Sequence, residues 1–122
     1  MPQVGIDLVE LSEVGDALER FGDAYRRRAF TRAELIGRPK GHAAEAAYLG
    51  GLVAGKEAVL KLLGPWAASC SWHQVEVLPA GRGWTVRLSG SAKMAAQARS
   101  VTDITLSISV SGPQALALAL GS

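Results

Sequence analysis

The segment Ala43–Leu63, AAEAAYLGGLVAGKEAVLKLL, decides the architecture of this 122-residue chain. It is the longest stretch with helical character, it is rich in Ala and Leu, and it contains no proline. Gly64-Pro65 supplies a common stop signal directly after it. Gly50, Gly51 and Gly55 inside the helix each cost roughly 1 kcal/mol relative to Ala. Their presence predicts that another backbone packs closely against this helix.

Strand and helix patterns surround that segment. Alternating apolar and polar residues predict five strands: Gln3–Asp7, His73–Leu78, Trp84–Leu88, Asp103–Ser111 and Ala115–Leu120. Shorter helices are predicted at 12–21, at 91–98, and after Thr31, which forms a capping box with Glu34. We therefore predict an α+β fold, with a small antiparallel sheet packed on one long helix and shorter helices, as a single domain of residues 1–122.

The composition excludes several classes of protein. Hydrophobic residues make up 48% of the chain and charged residues 20%, which is typical of a globular domain. A net charge of +2 is too small for a protein that binds nucleic acid through its overall field. The single cysteine excludes a disulfide within the chain and a cysteine-rich zinc site. We see no signal peptide and no membrane-spanning apolar run, and we expect a cytoplasmic protein.

One carboxylate in the first strand and two charges in the long helix form a candidate site. Asp7 ends the predicted first strand, where a carboxylate projects from the edge of a sheet. Glu57 and Lys61 are four residues apart and share a helix face. Two carboxylates can hold Mg²⁺ together with waters and substrate phosphates, and a nearby lysine can bind a phosphate. The same spacing also describes an ordinary surface Glu–Lys pair, and spacing alone favours that interpretation.

Three further features carry two interpretations each. The run Arg26–Arg28 could dock an acidic partner, or it could form a solvated basic turn. The loop Arg38–His42 could contact phosphate, or it could simply be exposed. Cys70 and His73 form a lone C-x-x-H, which falls far short of a zinc ligand set and is interpreted as structural.

Two motifs stand in register across the chain. Gly5–Leu11 reads GIDLVEL, and Ala54–Gly64 reads AGKEAVLKLLG, with a Lys-Glu pair, a lysine four residues on and a glycine stop. Ala29–Leu35, AFTRAEL, connects them. Together they resemble the holo-acyl-carrier-protein synthase family, the small 4′-phosphopantetheinyl transferases, over essentially the whole chain. The resemblance implies the 4′-phosphopantetheinyl transferase-like fold.

The resemblance also implies a reaction and partners. Members of the family move the phosphopantetheine arm of coenzyme A onto a serine of an acidic acyl or peptidyl carrier protein, as in fatty acid or polyketide biosynthesis. By position, Asp7 and Glu57 would hold Mg²⁺, and Glu57 and Lys61 would be catalytic. The family forms homotrimers with active sites between subunits. The expected substrate-binding residues are Lys40, His42, Lys56 and Lys61, and the expected carrier-docking residues are Arg20, Arg26, Arg27 and Arg28.

Three positions depart from the family pattern. Leu52 stands where an arginine is usual, and Val110 stands where a histidine is usual, both at the coenzyme A end of the site. Glu13 replaces a basic residue that faces the carrier protein. Two functions therefore stay open: a transferase with weakened coenzyme A binding, or a degenerate or repurposed member that serves as a carrier-binding or structural partner. Because Val110 continues the apolar register of Ile104, Leu106 and Ile108, we expect it to be buried.

Overall fold

The structure is a computed structural model that describes residues 2–122. Its helices and strands follow one another in the order β1 Gln3–Glu10, α1 Leu11–Phe21, α2 Asp23–Ala29, α3 Arg32–Ile36, α4 His42–Leu63, β2 Val75–Ala80, β3 Gly83–Leu88, α5 Gly90–Ala98, β4 Ile104–Ser111 and β5 Gln114–Gly121. Two short 3₁₀ helices, at Gly64–Ser69 and Trp72–Gln74, connect α4 to β2. Within residues 2–122, no helix is both long and apolar enough to cross a membrane.

The strands form two antiparallel sheets. β5 lies between β1 and β4 in a three-stranded sheet, and β2 pairs with β3 in a separate hairpin. Helix α4 packs against the three-stranded sheet, and the shorter helices complete the core around it. The predicted α+β class is therefore confirmed. The predicted capping box is also present, since Thr31 Oγ1 accepts from Glu34 N while Glu34 Oε1 accepts from Thr31 N.

Small residues on the inner face of the three-stranded sheet let helix α4 approach the backbone of the sheet. On β5 the inward side chains are Ala115, Ala117 and Ala119, all fully buried. On β1 the inward residue is Gly5, where a Cβ atom would lie 1.9 Å from Ala58 O. No side chain fits there, so this contact fixes the distance between strand and helix.

The glycines of α4 serve a different purpose from the one predicted. A Cβ at Gly50 would meet Leu11, and a Cβ at Gly51 or Gly55 would meet the side chain of Ile108. These glycines therefore receive side chains from α1 and β4, and the predicted backbone approach against them is wrong. The close backbone contact involves Gly5 on the strand instead.

Large apolar residues of β1 and β5 point away from α4. Their alternation with the small inward residues places Val4, Ile6 and Leu8 opposite Leu120, Leu118 and Leu116, respectively. All six side chains are exposed in the single chain. The polar residues Thr105, Ser107 and Ser109 of β4 pair with the same β5 leucines and border the patch. We call these six residues the outer apolar face.

Val110 is not buried as expected. Leu106, in the middle of β4, is only 5% exposed, but Val110 is 46% exposed. Val110 is the next-to-last residue of β4, just before the turn at Gly112, and it lies beside Gly51 in the middle of α4. Leu52, on the neighbouring position of α4, is fully buried in the core.

The contact at Gly5 generates a stability prediction. Gly5→Ala should destabilise the fold by about 3 kcal/mol or more, because its methyl group would meet backbone atoms that cannot rotate away. Gly83→Ala is the matched control, since a Cβ there meets nothing within 4 Å and the backbone φ is not positive. We expect the control to change stability by about 0.5 kcal/mol at most. Urea unfolding midpoints measure both, and equal midpoints would contradict the close contact.

Candidate functional site

Asp7 and Lys61 form an ion pair between β1 and α4. Asp7 lies two residues after Gly5 and therefore shares its inward face, directly beside α4. Lys61 Nζ donates to Asp7 Oδ1 at 2.6 Å. This hydrogen bond, together with the Asp7 charge, raises the pKa of Lys61. The lysine side chain remains more than half exposed, so its ammonium group is accessible to a ligand phosphate.

Glu57 lies one helical turn before Lys61 and faces the same cavity as Asp7. The cavity has a volume of about 400 Å³, and its wall includes Asp7, Glu57 and Glu13. Partial burial raises the pKa of Glu57, the Asp7 charge raises it further, and Lys61 opposes both effects. The structure thus brings together Asp7, Glu57 and Lys61, the three residues of the predicted site. With its raised pKa, Glu57 is a stronger base than an ordinary surface carboxylate.

The two carboxylates fit a hard divalent cation. Partial burial is the larger cause of the raised pKa of Glu57, and the negative charge of Asp7 across the cavity adds to it. Among residues 2–122, no group of three or more His, Cys, Asp or Glu side chains is arranged to hold a metal ion. A site with two protein carboxylates suits Mg²⁺, which usually keeps several waters and takes further oxygens from substrate phosphates.

Lys56 does not reach this cavity, and its assignment as a substrate-binding residue is wrong. Lys56 is the residue before Glu57, about 100° away around the helix, and it is fully buried. Its Nζ donates to Trp72 O at 2.9 Å and to Val75 O at 2.7 Å, and it lies 2.9 Å from Glu34 Oε1. Burial lowers the pKa of Lys56, and the Glu34 carboxylate opposes that shift. The lysine therefore joins α4 to the segment before β2.

Lys40 and His42 do not line the Asp7–Glu57 cavity within one chain. His42 is the first residue of α4, fifteen positions before Glu57, which corresponds to about 22 Å along the helix. Its Nε2 lies 3.5 Å from Glu19 Oε1 on α1. Lys40 is exposed in the preceding loop. The chain on its own does not bring the predicted phosphate-binding loop to the site.

The run of arginines is divided among different roles. Arg26 binds both Glu45 oxygens, at 2.6 and 2.8 Å, and Asp23 at 2.7 Å. These bonds lower the pKa of Glu45 and anchor α2 to the start of α4. Arg26 is thus engaged within the fold, and its assignment as a docking residue stays a prediction. Arg27 and Arg28 are exposed and form no ion pair among the described residues.

An apolar groove extends from the Asp7–Glu57 cavity across α1 and α2. We call it the α1–α2 groove; it has a volume of about 440 Å³ and is lined by Ala17, Phe21, Ala24, Tyr25, Arg28, Ala29, Val53 and Trp72. Ala17, Tyr25 and Val53 also line the Asp7–Glu57 cavity, so the two spaces adjoin. Arg20 lies nearby, with its guanidinium 5.5 Å from the Phe21 ring centroid.

Sequence reasoning missed the role of Phe21 in this groove. Its helical spacing with Val14 and Leu18 places it on the apolar face of α1, whereas 59% of its surface is exposed. The sequence did contain a signal for this exposure. Phe21 is the last residue of α1, directly before Gly22, and the end of a helix is where it leaves the core.

Comparisons with known proteins agree over the full length. The family model of the 4′-phosphopantetheinyl transferase superfamily matches residues 3–119. A holo-[acyl-carrier-protein] synthase from Desulforudis audaxviator is 41% identical over 120 residues, covering 96% of this chain and 89% of the relative. One from Alkaliphilus metalliredigens is 35% identical over 121 residues, covering 96% and 95%. The solved ACPS–CoA complex from Chronobacterium ammoniagenes has a TM-score of 0.81 at 27% identity, covering all of this chain and 97% of that one.

The coupling of Asp7 to its neighbours can be measured directly. Asp7→Asn should lower the pKa of Glu57, because it removes a neighbouring negative charge and frees Lys61 to approach Glu57. The same substitution should lower the pKa of Lys61, which loses its carboxylate partner. Carbon-13 NMR titration of the Glu carboxyl and Lys ε-carbon signals measures both, with the exposed Lys93 as an internal reference. An unchanged Glu57 titration would show that the two carboxylates do not interact.

Proposed function

The chain belongs to the holo-[acyl-carrier-protein] synthase family of the 4′-phosphopantetheinyl transferase superfamily, and from that membership we propose that it transfers 4′-phosphopantetheine from coenzyme A to a carrier-protein serine. The observation that carries this proposal is that Asp7 and Glu57 line one cavity and that Lys61 donates a hydrogen bond to Asp7. The reaction needs a cation for phosphate charge and a base for the serine hydroxyl, and this chain offers both within one helical turn.

Each residue has a role that follows from its environment. The Lys61 ammonium is positioned to bind a phosphate oxygen and to stabilise negative charge on the leaving 3′,5′-ADP. Glu57 accepts the proton of the attacking serine hydroxyl, directly or through a water. Asp7 orients Lys61 through their hydrogen bond.

Asp7 and Glu57 are the residues that would hold Mg²⁺. When bound, the ion neutralises pyrophosphate charge and polarises the phosphorus under attack. The repulsion between the two carboxylates supports this assignment, because a divalent cation relieves it. Glu13, on the same cavity wall, adds a third negative charge at the mouth of the site.

The α1–α2 groove is the proposed docking place for the carrier protein. Its floor is apolar, it adjoins the catalytic cavity, and Arg20 and Arg28 supply positive charge at its edge. An acidic carrier helix with an apolar face suits such a surface. Glu13 opposes this attraction at the end nearest the cavity, so Arg28 and Arg20 carry more of the electrostatic steering.

The coenzyme A end of the site supports weakened binding. Leu52 is fully buried among core residues, and Val110 is an exposed aliphatic side chain beside the same helix. Neither group can pair with the dianionic 3′-phosphate. We propose that this chain recognises coenzyme A mainly through the pyrophosphate and the pantetheine arm.

A homotrimer is the proposed assembly, with the outer apolar face as its contact. Six exposed Val, Ile and Leu side chains form one patch on a three-stranded sheet, and water contact with such a patch is unfavourable. A second copy presents the same apolar chemistry. Assembly would also offer a route for Lys40 and His42 of one copy to approach the cavity of another.

A second candidate function follows from the same departures. If the 3′-phosphate site is lost altogether, the chain is a degenerate member that keeps the carrier-docking groove and acts as a carrier-binding or structural partner. Leu52 in the core favours this alternative, since the position cannot supply a cation. Carrier binding without transfer distinguishes it from the transferase.

Carrier loading tests the proposed activity. Apo carrier protein incubated with this protein, coenzyme A and Mg²⁺ should gain the mass of one phosphopantetheine, as measured by intact mass spectrometry. Glu57→Gln and Lys61→Met should each lower the rate by about 10²-fold or more, because they remove the base and the phosphate-binding cation. Lys93→Met is the matched control, because Lys93 occupies an exposed position on α5. This variant should load the carrier protein at the wild-type rate. Carrier that binds but never gains mass would favour the alternative function.

The affinities for coenzyme A and for its 3′-dephospho form test the effect of Leu52 and Val110 on binding of the 3′-phosphate. With no cation at position 52 and no histidine at position 110, coenzyme A and 3′-dephospho-coenzyme A should bind with affinities within about threefold. One charge-assisted hydrogen bond to the 3′-phosphate would give about tenfold or more. Calorimetric titration of both compounds measures the ratio. Markedly tighter binding of coenzyme A would show that other residues, such as Lys40 or His42, bind the 3′-phosphate.

A further inference from the structure

A second groove lies on the opposite flank of α2 and is also bordered by unpaired cations. We call it the α2–α3 groove; it has a volume of about 510 Å³ and is lined by Arg27, Phe30, Thr31, Arg32, Leu35 and His73. Phe30 and Leu35 form an apolar floor, while Arg27, Arg32 and His73 stand on the rim. No acidic residue lines it.

The carboxylates closest in the sequence to this groove are already engaged. Glu34 is buried and accepts from Thr31 N and Val77 N, both at 2.7 Å. Glu76 accepts from Thr31 Oγ1 at 2.6 Å. Arg27 and Arg32 form no ion pair among the described residues. Their charges are therefore available to a partner.

The two grooves are adjacent. Arg28 lines the α1–α2 groove and Arg27 lines the α2–α3 groove, so consecutive residues in the last turn of α2 form the ridge between them. Trp72 and His73 are likewise divided between the two sides. His73 Nε2 lies 2.6 Å from Arg27 O, which ties the end of α2 to this segment. A helix is about 10–12 Å across, so one partner helix and its adjoining loop can contact both grooves.

We infer that the α2–α3 groove is a second contact for the carrier protein, taking an acidic segment with an apolar side chain next to the segment held in the α1–α2 groove. This inference rests on the proposed function. An acidic protein surface fits better than a nucleic acid, because the apolar floor requires an apolar side chain and the chain has a net charge of only +2. The contact compensates for Glu13, whose charge opposes an acidic partner at the other end of the docking surface.

Charge reversal in the α2–α3 groove tests the inference. Arg27→Glu and Arg32→Glu should each raise the KM for apo carrier protein about fivefold, and together more, while the KM for coenzyme A stays within twofold. Arg82→Glu, in the exposed β2–β3 turn, is the matched control for a lost surface cation. Arg32 begins α3, where a glutamate is favourable, so this variant should fold normally. If a glutamate at the end of α2 disturbs folding, Arg27→Gln removes the same positive charge without adding a negative one.

Direct binding separates this inference from the proposed reaction. Apo carrier protein is titrated calorimetrically into wild type and variants without coenzyme A. Affinity lost in the Arg27 and Arg32 variants, but not in Arg82→Glu, supports the second contact even if no phosphopantetheine is ever transferred. Variants that bind like Arg82→Glu overturn it, whether or not the wild type loads the carrier. A change in oligomeric state by light scattering, with carrier affinity unchanged, also overturns it by assigning the groove to a neighbouring copy.

Discussion

The contact of Gly5 with the backbone of α4 sets the distance on which the rest of the structure depends. A side chain at this position would lie 1.9 Å from a carbonyl oxygen of the helix, so only glycine permits the approach. The alanines on the inner face of β5 maintain the same short distance across the sheet. Asp7 lies two residues beyond Gly5 on the same face, and for that reason its carboxylate reaches Lys61 on the helix.

The small inner face has a direct consequence for the outer one. Because successive side chains of a strand point to opposite faces, the residues that alternate with the small inward ones all face outward. The valine, isoleucine and leucines of β1 and β5 therefore point away from the core, which is the reverse of the usual pattern for a sheet packed on a helix. The same alternation of small and large residues along β1 and β5 allows α4 to pack closely on one face and leaves an apolar patch on the other. The geometry of the site is in this way linked to the proposed trimer.

Two consecutive residues of helix α4 point in different directions, so that one charge serves the core and the next serves the cavity. Lys56 turns into the core, where Glu34 and two carbonyl groups hold its ammonium. Glu57, the next residue, turns into the cavity with Asp7. A buried lysine left without its carboxylate would be strongly unfavourable, so the Lys56–Glu34 pair constrains the rotation of the helix and thereby the direction of Glu57. Arg26 and Glu45 anchor the other end of the same helix.

The sequence by itself determined the long helix, the five strands, the capping box at Thr31, and the spacing of the two motifs that contain Asp7, Glu57 and Lys61, because periodicity and spacing are local properties. It did not predict helix α2, whose arginines it left as a basic turn or a docking segment. It could not show that Lys56 is buried, that Arg26 is engaged by Glu45, or that Phe21 and Val110 are exposed. These outcomes depend on which elements cover each side chain. The tertiary structure decided them because the closeness of α4 to the sheet determines where the core ends, and residues beyond that limit face solvent or a partner whatever their hydrophobicity.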